Sequence, residues 1–306
     1  MIKIEDITVQ FGEKKVLDHI NMTLKNGEII GLVAPNGTGK STLLNVLMNY
    51  LSPDSGKVII GNGLEYTNKS KEANIRKQIT LMADQSDLYP HLTGMDHLKI
   101  YENMWKNTAV NPLEVVKRLK MSHYVNSKTG TYSLGMKQRL CFAMQIVANT
   151  HYMLMDEVMN GLDPDNVELI SKLLEEKKKE GKVIVIASHL LENLEKYADR
   201  ILFLKDGRFI YERDYNKINQ EEYYIKFSSR VNNELKQKIK EEISNIDLTE
   251  LSNERIVVKV NDLAREELER LKNIITKTYS LSYIIGPLDL SDHYSINYNI
   301  KNLANN

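Results

Sequence analysis

The stretch Ile29-Ile30-Gly31-Leu32-Val33-Ala34-Pro35-Asn36-Gly37-Thr38-Gly39-Lys40-Ser41-Thr42 runs from an apolar strand into a glycine-bearing turn, and a helical run, Leu43 to Asn49, follows. Each part has a chemical use. Glycines let backbone N–H groups curl round phosphate oxygens, and the following helix presents its positive N-terminus to the same oxygens. At this spacing Lys40 reaches the β- and γ-phosphates of a nucleotide, and Ser41 ligates Mg²⁺. Residues Ala34, Pro35, Asn36, Gly37, Thr38, Gly39, Lys40, Ser41 and Thr42 are therefore read as a phosphate-binding P-loop. Ala34 stands where the pattern usually has its first glycine, which is acceptable if Ala34 keeps an ordinary negative φ.

Strand-like runs at Lys3 to Val9, Lys57 to Ile60, Ile79 to Ala83, Tyr152 to Met155, Lys182 to Ala187 and Arg200 to Leu204 surround this loop, separated by helical stretches. That alternation is the pattern of an α/β fold. Between Asp84 and Thr150 the strand signals stop and helical spacing takes over, as in Leu113, Val116, Leu119 and again in Leu140, Met144, Val147. The expectation is an α/β domain over residues 1–215 with a helical subdomain, about 84–150, inserted in it. Beyond Asn216 the texture changes: Tyr223 to Phe227 and Ile256 to Val260 read as strands, and Asn232 to Ser244 as a charged amphipathic helix. Leu263 to Tyr279 reads as a second helix with Leu268, Leu271 and Ile275 on one face. Residues 216–306 are expected to form a small α+β accessory domain, with β-α-β-β-α-β as one arrangement, its charged helices presenting solvated faces.

With 306 residues and 42% apolar content the chain can bury one large core or two smaller ones. Lys+Arg and Asp+Glu balance at 41 each, so no global positive field points to nucleic acid, which is not expected as a partner. The single cysteine, Cys141, excludes an internal disulfide and a thiolate metal site. The N-terminal run Met1 to Asp6 alternates apolar and charged residues as a half-buried strand does, so the chain is not expected to be exported. No run approaches the roughly 20 apolar residues that cross a bilayer, so a membrane role is expected only through partners.

A second motif concerns the same chemistry. Thr150-His151-Tyr152-Met153-Leu154-Met155-Asp156-Glu157 is an apolar strand ending in two acids. Asp156 is suited to hold Mg²⁺ through water, and Glu157 to polarise the water that attacks a γ-phosphate. Such a pair also starts helices, because acids favour helix N-termini.

The order of further segments makes the chain resemble the ABC ATPase family. Tyr132-Ser133-Leu134-Gly135-Met136-Lys137-Gln138-Arg139 resembles its signature motif, in a form seen among drug and bacteriocin exporters. Asn160-Gly161-Leu162-Asp163-Pro164 resembles its D-loop, Gln85 its Q-loop glutamine, and Ser188-His189 its switch histidine. Phe11, followed by Gly12, resembles the aromatic residue that stacks on adenine. Taken singly, Phe11 reads as ordinary core, Gln85 as a surface amide and His189 as a helix cap; six motifs in the right order do not. The resemblance covers Met1 to Tyr211, and in the remainder only Leu288-Asp289-Leu290-Ser291-Asp292 resembles a segment common in exporter-type subunits.

The resemblance implies a P-loop NTPase fold that binds and hydrolyses ATP with Mg²⁺. Lys40, Glu157 and His189 would be catalytic, and Ser41, Gln85 and Asp156 would hold the metal. Two subunits would meet head to tail, each ATP lying between the P-loop of one and Ser133, Gly135, Met136 and Asp163 of the other. The implied partners are transmembrane permease subunits and a second ATP-binding subunit, either another copy or a related chain. The implied location is peripheral, on the cytoplasmic face of a bacterial cell membrane. Departures are Leu134 for the signature's first glycine, Met136 for its glutamine and Val158-Met159 for the usual Pro-Thr; none removes a charged or proton-transferring group. The stretch Gln85 to Leu98 corresponds to the family's groove for a short cytoplasmic helix of the transmembrane subunit. Tyr89, Leu92, Met95, Tyr101 and Trp105 are either its anchors or simple core packing. Export of peptides or drugs fits the signature variant and the C-terminal appendage. An importer ATPase and a non-hydrolysing regulatory ATP-binding subunit are the alternatives, the latter opposed by intact Glu157 and His189.

Overall fold

A computed structural model of the chain describes residues 1–189, 191–217, 222–228, 233–244, 246–251 and 255–298. These fall into two compact units, Met1–Asn216 and Lys217–Asn306. The first opens with β1 (Ile2–Phe11), β2 (Lys14–Leu24), β3 (Glu28–Val33), α1 (Lys40–Leu47) and β4 (Ser55–Ile60). Next come α2 (Lys69–Arg76), β5 (Ile79–Leu81), α3 (Gly94–Met104), α4 (Pro112–Arg118) and α5 (Leu134–Ala148). It continues with β6 (Tyr152–Asp156), α6 (Pro164–Lys179), β7 (Val183–Ser188), α7 (Leu191–Leu194), β8 (Arg200–Lys205) and β9 (Arg208–Asp214).

Six strands form one sheet in the order β5-β6-β7-β3-β8-β9, parallel throughout except where β9 returns antiparallel to β8. Every residue of β3 and β7 is buried, as expected of central parallel strands covered on both faces, which carry continuous apolar runs rather than alternation. A separate antiparallel sheet has the order β2-β1-β4. Two strands were not expected from the sequence. β2 pairs with β1 and buries Leu17, Ile20, Met22 and Leu24. β9 follows a tight turn in which Asp206 and Gly207 both have positive φ, the geometry of a two-residue hairpin. Conversely, the run expected through Ala83 ends as a strand at Leu81.

Between β5 and β6 the regular structure is helical, and each helix has a local reason for its start. Thr93 and Asp96 form a reciprocal capping box at α3, and Asn111 caps α4 with Pro112 in its first turn. Ser133 caps α5, which ends where Asn149 turns left-handed at φ 47°. From Leu140 to Ala148 every residue of α5 is buried.

The second unit contains β10 (Tyr224–Ser228), α8 (Asn233–Glu242), β11 (Thr249–Glu250), β12 (Arg255–Lys259), α9 (Arg265–Asn273), β13 (Tyr283–Gly286) and α10 (Leu290–Tyr298). Asn232, the expected start of its first helix, lies outside the described residues. The strands pair antiparallel in the order β11-β12-β10-β13, and the chain order is β-α-β-β-α-β followed by one more helix. Ile225 and Phe227 point to a core with Leu235, Ile239, Ile243 and Leu271. The second helix is not regular to its end: Ile274–Thr278 is a π-helical turn, and both Ile274 and Ile275 reach this core. Lys226, between the two inward residues of β10, donates to the fully buried Asp292 at 3.0 Å.

Ile239 is fully buried in that core. Ile239→Ala should cost the second unit about 2–5 kcal/mol, read as a lower denaturant midpoint for that unit in urea. An unfolding curve identical to that of the wild type would contradict this packing.

Candidate functional site

Three parallel strands end level with one another. Val33 of β3 lies opposite Ser188 of β7, and Asp156 of β6 lies opposite Ala187. The next residues in each chain segment are therefore neighbours: the P-loop after Val33, Glu157 after Asp156, and His189 after Ser188. Ligands of open α/β sheets bind at such carboxyl edges.

Within the loop, Ala34 is buried and is not among the residues with positive φ, so its methyl meets the condition set by the sequence. Gly37 and Gly39 have φ of 76° and 110°. A Cβ on Gly39 would lie 2.9 Å from the Val16 carbonyl oxygen, so this position requires glycine twice over. Thr38 Oγ1 donates to the Pro35 carbonyl at 2.7 Å and closes the turn. Lys40 Nζ donates to the carbonyls of Ala34 at 2.6 Å and Pro35 at 3.2 Å, inside the curl of the loop. Burial pulls its pKa down, against the opposing pull of the Glu157 and Asp156 charges. Asn36 and Thr42 line the same cleft, of about 300 Å³, as Lys40, Asp156 and Glu157.

Ser41 Oγ donates to Asp156 Oδ2 at 2.6 Å. Burial raises the Asp156 pKa, the Ser41 hydrogen bond lowers it, and the neighbouring Glu157 charge raises it, with a net upward result. This hydroxyl and carboxylate are hard oxygen donors of the kind Mg²⁺ takes. Among the described residues no cluster of three or more His, Cys, Asp or Glu is arranged to hold a metal. The pair fits Mg²⁺ that completes its shell with phosphate and water, which is the usual manner of that ion.

Glu157 has φ 51°, a left-handed conformation that costs a non-glycine residue about 1–3 kcal/mol. Its Oε1 meets His189 Nδ1 at 2.9 Å, while Oε2 is buried without a hydrogen-bond partner among the described residues. A second cleft, of about 340 Å³, shares Ser41, Asp156 and Glu157 with the first and adds Gln85 and Gln138. Gln85 thus lines the same cleft as Ser41 and Asp156 but is not hydrogen-bonded to either. Its Nε2 donates instead to Gln138 Oε1 at 2.5 Å.

Gln138 lies within the signature-like run Tyr132 to Arg139. It is 4% exposed, and its own Nε2 donates to the carbonyls of Glu157 at 2.9 Å and Val158 at 3.0 Å. The signal available in sequence was a polar amide on the inward face of an apolar helix, in step with Cys141 and Gln145.

Neither the Lys40 cleft nor the Gln85 cleft is lined by Ser133, Gly135, Met136 or Asp163. Ser133 Oγ caps α5 by accepting from the Met136 N–H at 3.3 Å. A Cβ on Gly135 would meet the Gly161 carbonyl at 3.3 Å, so the signature turn packs on the loop Asn160 to Pro164. Asp163 caps α6, and the Asn166 N–H holds its carboxyl below the usual range. Phe11 is 54% exposed at the end of β1, which excludes the ordinary-core reading.

Of the five candidate groove anchors only Tyr89 is widely exposed, at 57%. Trp105 is tied inward by Nε1 donating to the Arg76 carbonyl at 3.0 Å, and burial pushes Tyr101 up to about 12. Tyr50, Ile100 and Met104 are the exposed apolar residues that join Tyr89 round a cleft of about 290 Å³. No described helix is long and apolar enough to cross a membrane.

A family model described as ABC transporter matches residues 17–160. An uncharacterized ABC transporter ATP-binding protein of Bacillus subtilis, YdbJ, is 35% identical over 209 residues, covering 68% of this chain and 67% of that protein. The lantibiotic transport ATP-binding protein SrtF of Streptococcus pyogenes is 31% identical over 216 residues, covering 71% and 92%. The dimeric structure of MJ0796, a bacterial ABC transporter cassette, superposes with a TM-score of 0.65 at 26% identity, over 71% of this chain and all of that one.

Gly39→Ala should weaken nucleotide binding by roughly tenfold or more, since the strained turn must open to admit the methyl. Equilibrium titration with a fluorescent ATP analogue measures this, and an unchanged affinity would contradict the loop geometry.

Proposed function

The chain belongs to the family of ABC transporter ATP-binding proteins, and on that premise we propose how its residues turn over ATP and what the turnover drives. The observation that carries the reading is the Glu157 carboxylate, one oxygen held by His189 and the other buried and unpaired at the edge of the Ser41–Asp156 pair. Oε2 is the acceptor left for the proton of an attacking water, and the contact with His189 fixes the direction in which it points. On ATP binding, the ammonium of Lys40 exchanges the carbonyls of Ala34 and Pro35 for β- and γ-phosphate oxygens. Ser41 and Asp156 would hold Mg²⁺, with Gln85 at the edge of the same cleft as a further oxygen ligand. Held there, Mg²⁺ would supply charge neutralisation at the phosphate oxygens. The loop N–H groups of Asn36 to Thr42 cradle the phosphates, and exposed Phe11 stacks on adenine.

Ser133, Gly135 and Met136 line neither the Lys40 cleft nor the Gln85 cleft, and they form the N-terminal turn of α5. They serve the ATP of a second ATP-binding subunit, with Asp163 in the adjoining loop, so that two chains close on two nucleotides. Tyr89 and the exposed apolar residues beside it receive a transmembrane permease subunit, which keeps the chain peripheral on the cytoplasmic face of the membrane. Similarity to a lantibiotic transport protein supports a peptide or drug as the cargo and export as the direction.

Glu157→Gln should lower kcat for phosphate release by about 10²- to 10⁴-fold while ATP still binds. Hydrolysis at the wild-type rate would contradict the role given to this carboxylate. Tyr89→Ala should abolish transport in vesicles that contain the permease and leave ATPase activity of the isolated chain intact. Loss of both activities would overturn the docking role.

A further inference from the structure

The amide of Gln138 joins three segments that are distant in sequence and adjacent at the site. Its two N–H bonds point to the carbonyls of Glu157 and Val158, and its oxygen accepts from Gln85. Gln138 is 4% exposed; its bond to the Val158 carbonyl is buried, and those to the Glu157 carbonyl and Gln85 are partly buried at the wall of the cleft. Glu157 is the residue in greatest need of support, because its backbone is held at φ 51°. The Glu157 carbonyl also accepts from the Asn160 N–H at 3.0 Å, and its own N–H donates to the Ala187 carbonyl at 2.8 Å. Both of those bonds are backbone contacts; Gln138 is the side chain that completes the set. A rotated peptide at this residue would swing the carboxylate off His189 and away from the attacking water.

We propose that Gln138 is a positioning residue for hydrolysis: it fixes the Glu157 backbone in its strained conformation and ties it to the Gln85 segment. This rests on the reading of Glu157 as the base. The link has a direction. Gln85 begins the short turn Gln85–Asp87, which leads to Tyr89 and α3, so a shift of that segment alters the partner of Gln138 Oε1. The polar demand of one buried amide therefore connects the proposed membrane-facing groove to the geometry of the hydrolytic carboxylate.

Gln138→Met keeps the side-chain volume and removes all three hydrogen bonds. Its kcat should fall about 10- to 100-fold, with the KM for ATP within about threefold of wild type. The Gln138→Met/Glu157→Gln double variant should be no slower than Glu157→Gln alone, since both act on one group. Gln138→Glu serves where the methionine variant does not fold. A carboxyl there offers at most one donor where the amide offers two, so the kcat of this variant should also fall, by about tenfold, with the KM for ATP little changed. A Gln138→Met or a Gln138→Glu protein with wild-type kcat beside an inactive Glu157→Gln overturns the proposal. Wild-type turnover in Glu157→Gln would instead remove the underlying reading of the base.

Discussion

Parallel pairing of β3 with β7 and of β7 with β6 sets the level at which three chain segments leave the sheet. In that register the P-loop, the Asp156–Glu157 pair and His189 emerge side by side, although more than a hundred residues separate the first from the second. A slip of one residue in β6 would turn Asp156 to the opposite face of the sheet. The register is secured by burial: β3 and β7 are buried at every position, and Tyr152 to Met155 of β6 are buried as well. An apolar interior thus places the charged groups to within hydrogen-bond distance, and those groups need no attraction of their own to assemble.

Once assembled, the site holds its charges in partly compensated form. Lys40 rests on loop carbonyls, Ser41 on Asp156, and His189 on Glu157. The Lys40 contact satisfies a buried charge that would otherwise be costly, the other two are open to solvent, and each is exchangeable for a phosphate oxygen, a metal or a water. The exception is Glu157 Oε2, buried without a partner among the described residues. Left-handed backbone at the same residue puts strain and an unsatisfied acceptor at one position, the combination expected where a structure serves chemistry more than its own stability.

The nucleotide loop, the acidic strand and most parallel strands were legible because their signals are local: an apolar run, then glycines or acids at fixed spacing. β2 and β9 were not read, for different reasons. β2 contains Lys14, Lys15, Asp18, His19 and Asn21 among its apolar residues, which blurs a two-residue period. β9 was announced by Asp206-Gly207, a hairpin signal that lay in the sequence. Groove residues were legible in place but not in exposure. Trp105 looks like an anchor until its indole N–H is found on the Arg76 carbonyl, while Ile100 and Met104 carry no motif and are exposed. Gln138 was hidden most fully, because its meaning depends on the Glu157 carbonyl, a contact between a helix and a strand end that no local pattern encodes.

On the proposed function each chain holds half of a composite ATP site, because its signature turn does not line its own Lys40 cleft. The most direct test is the mass in solution of the Glu157→Gln chain with and without ATP and Mg²⁺, because blocked hydrolysis should leave the closed pair as the stable species. The account predicts a monomer without nucleotide and a mass that doubles when ATP and Mg²⁺ are added. A chain that demonstrably binds ATP yet keeps its monomer mass would contradict it.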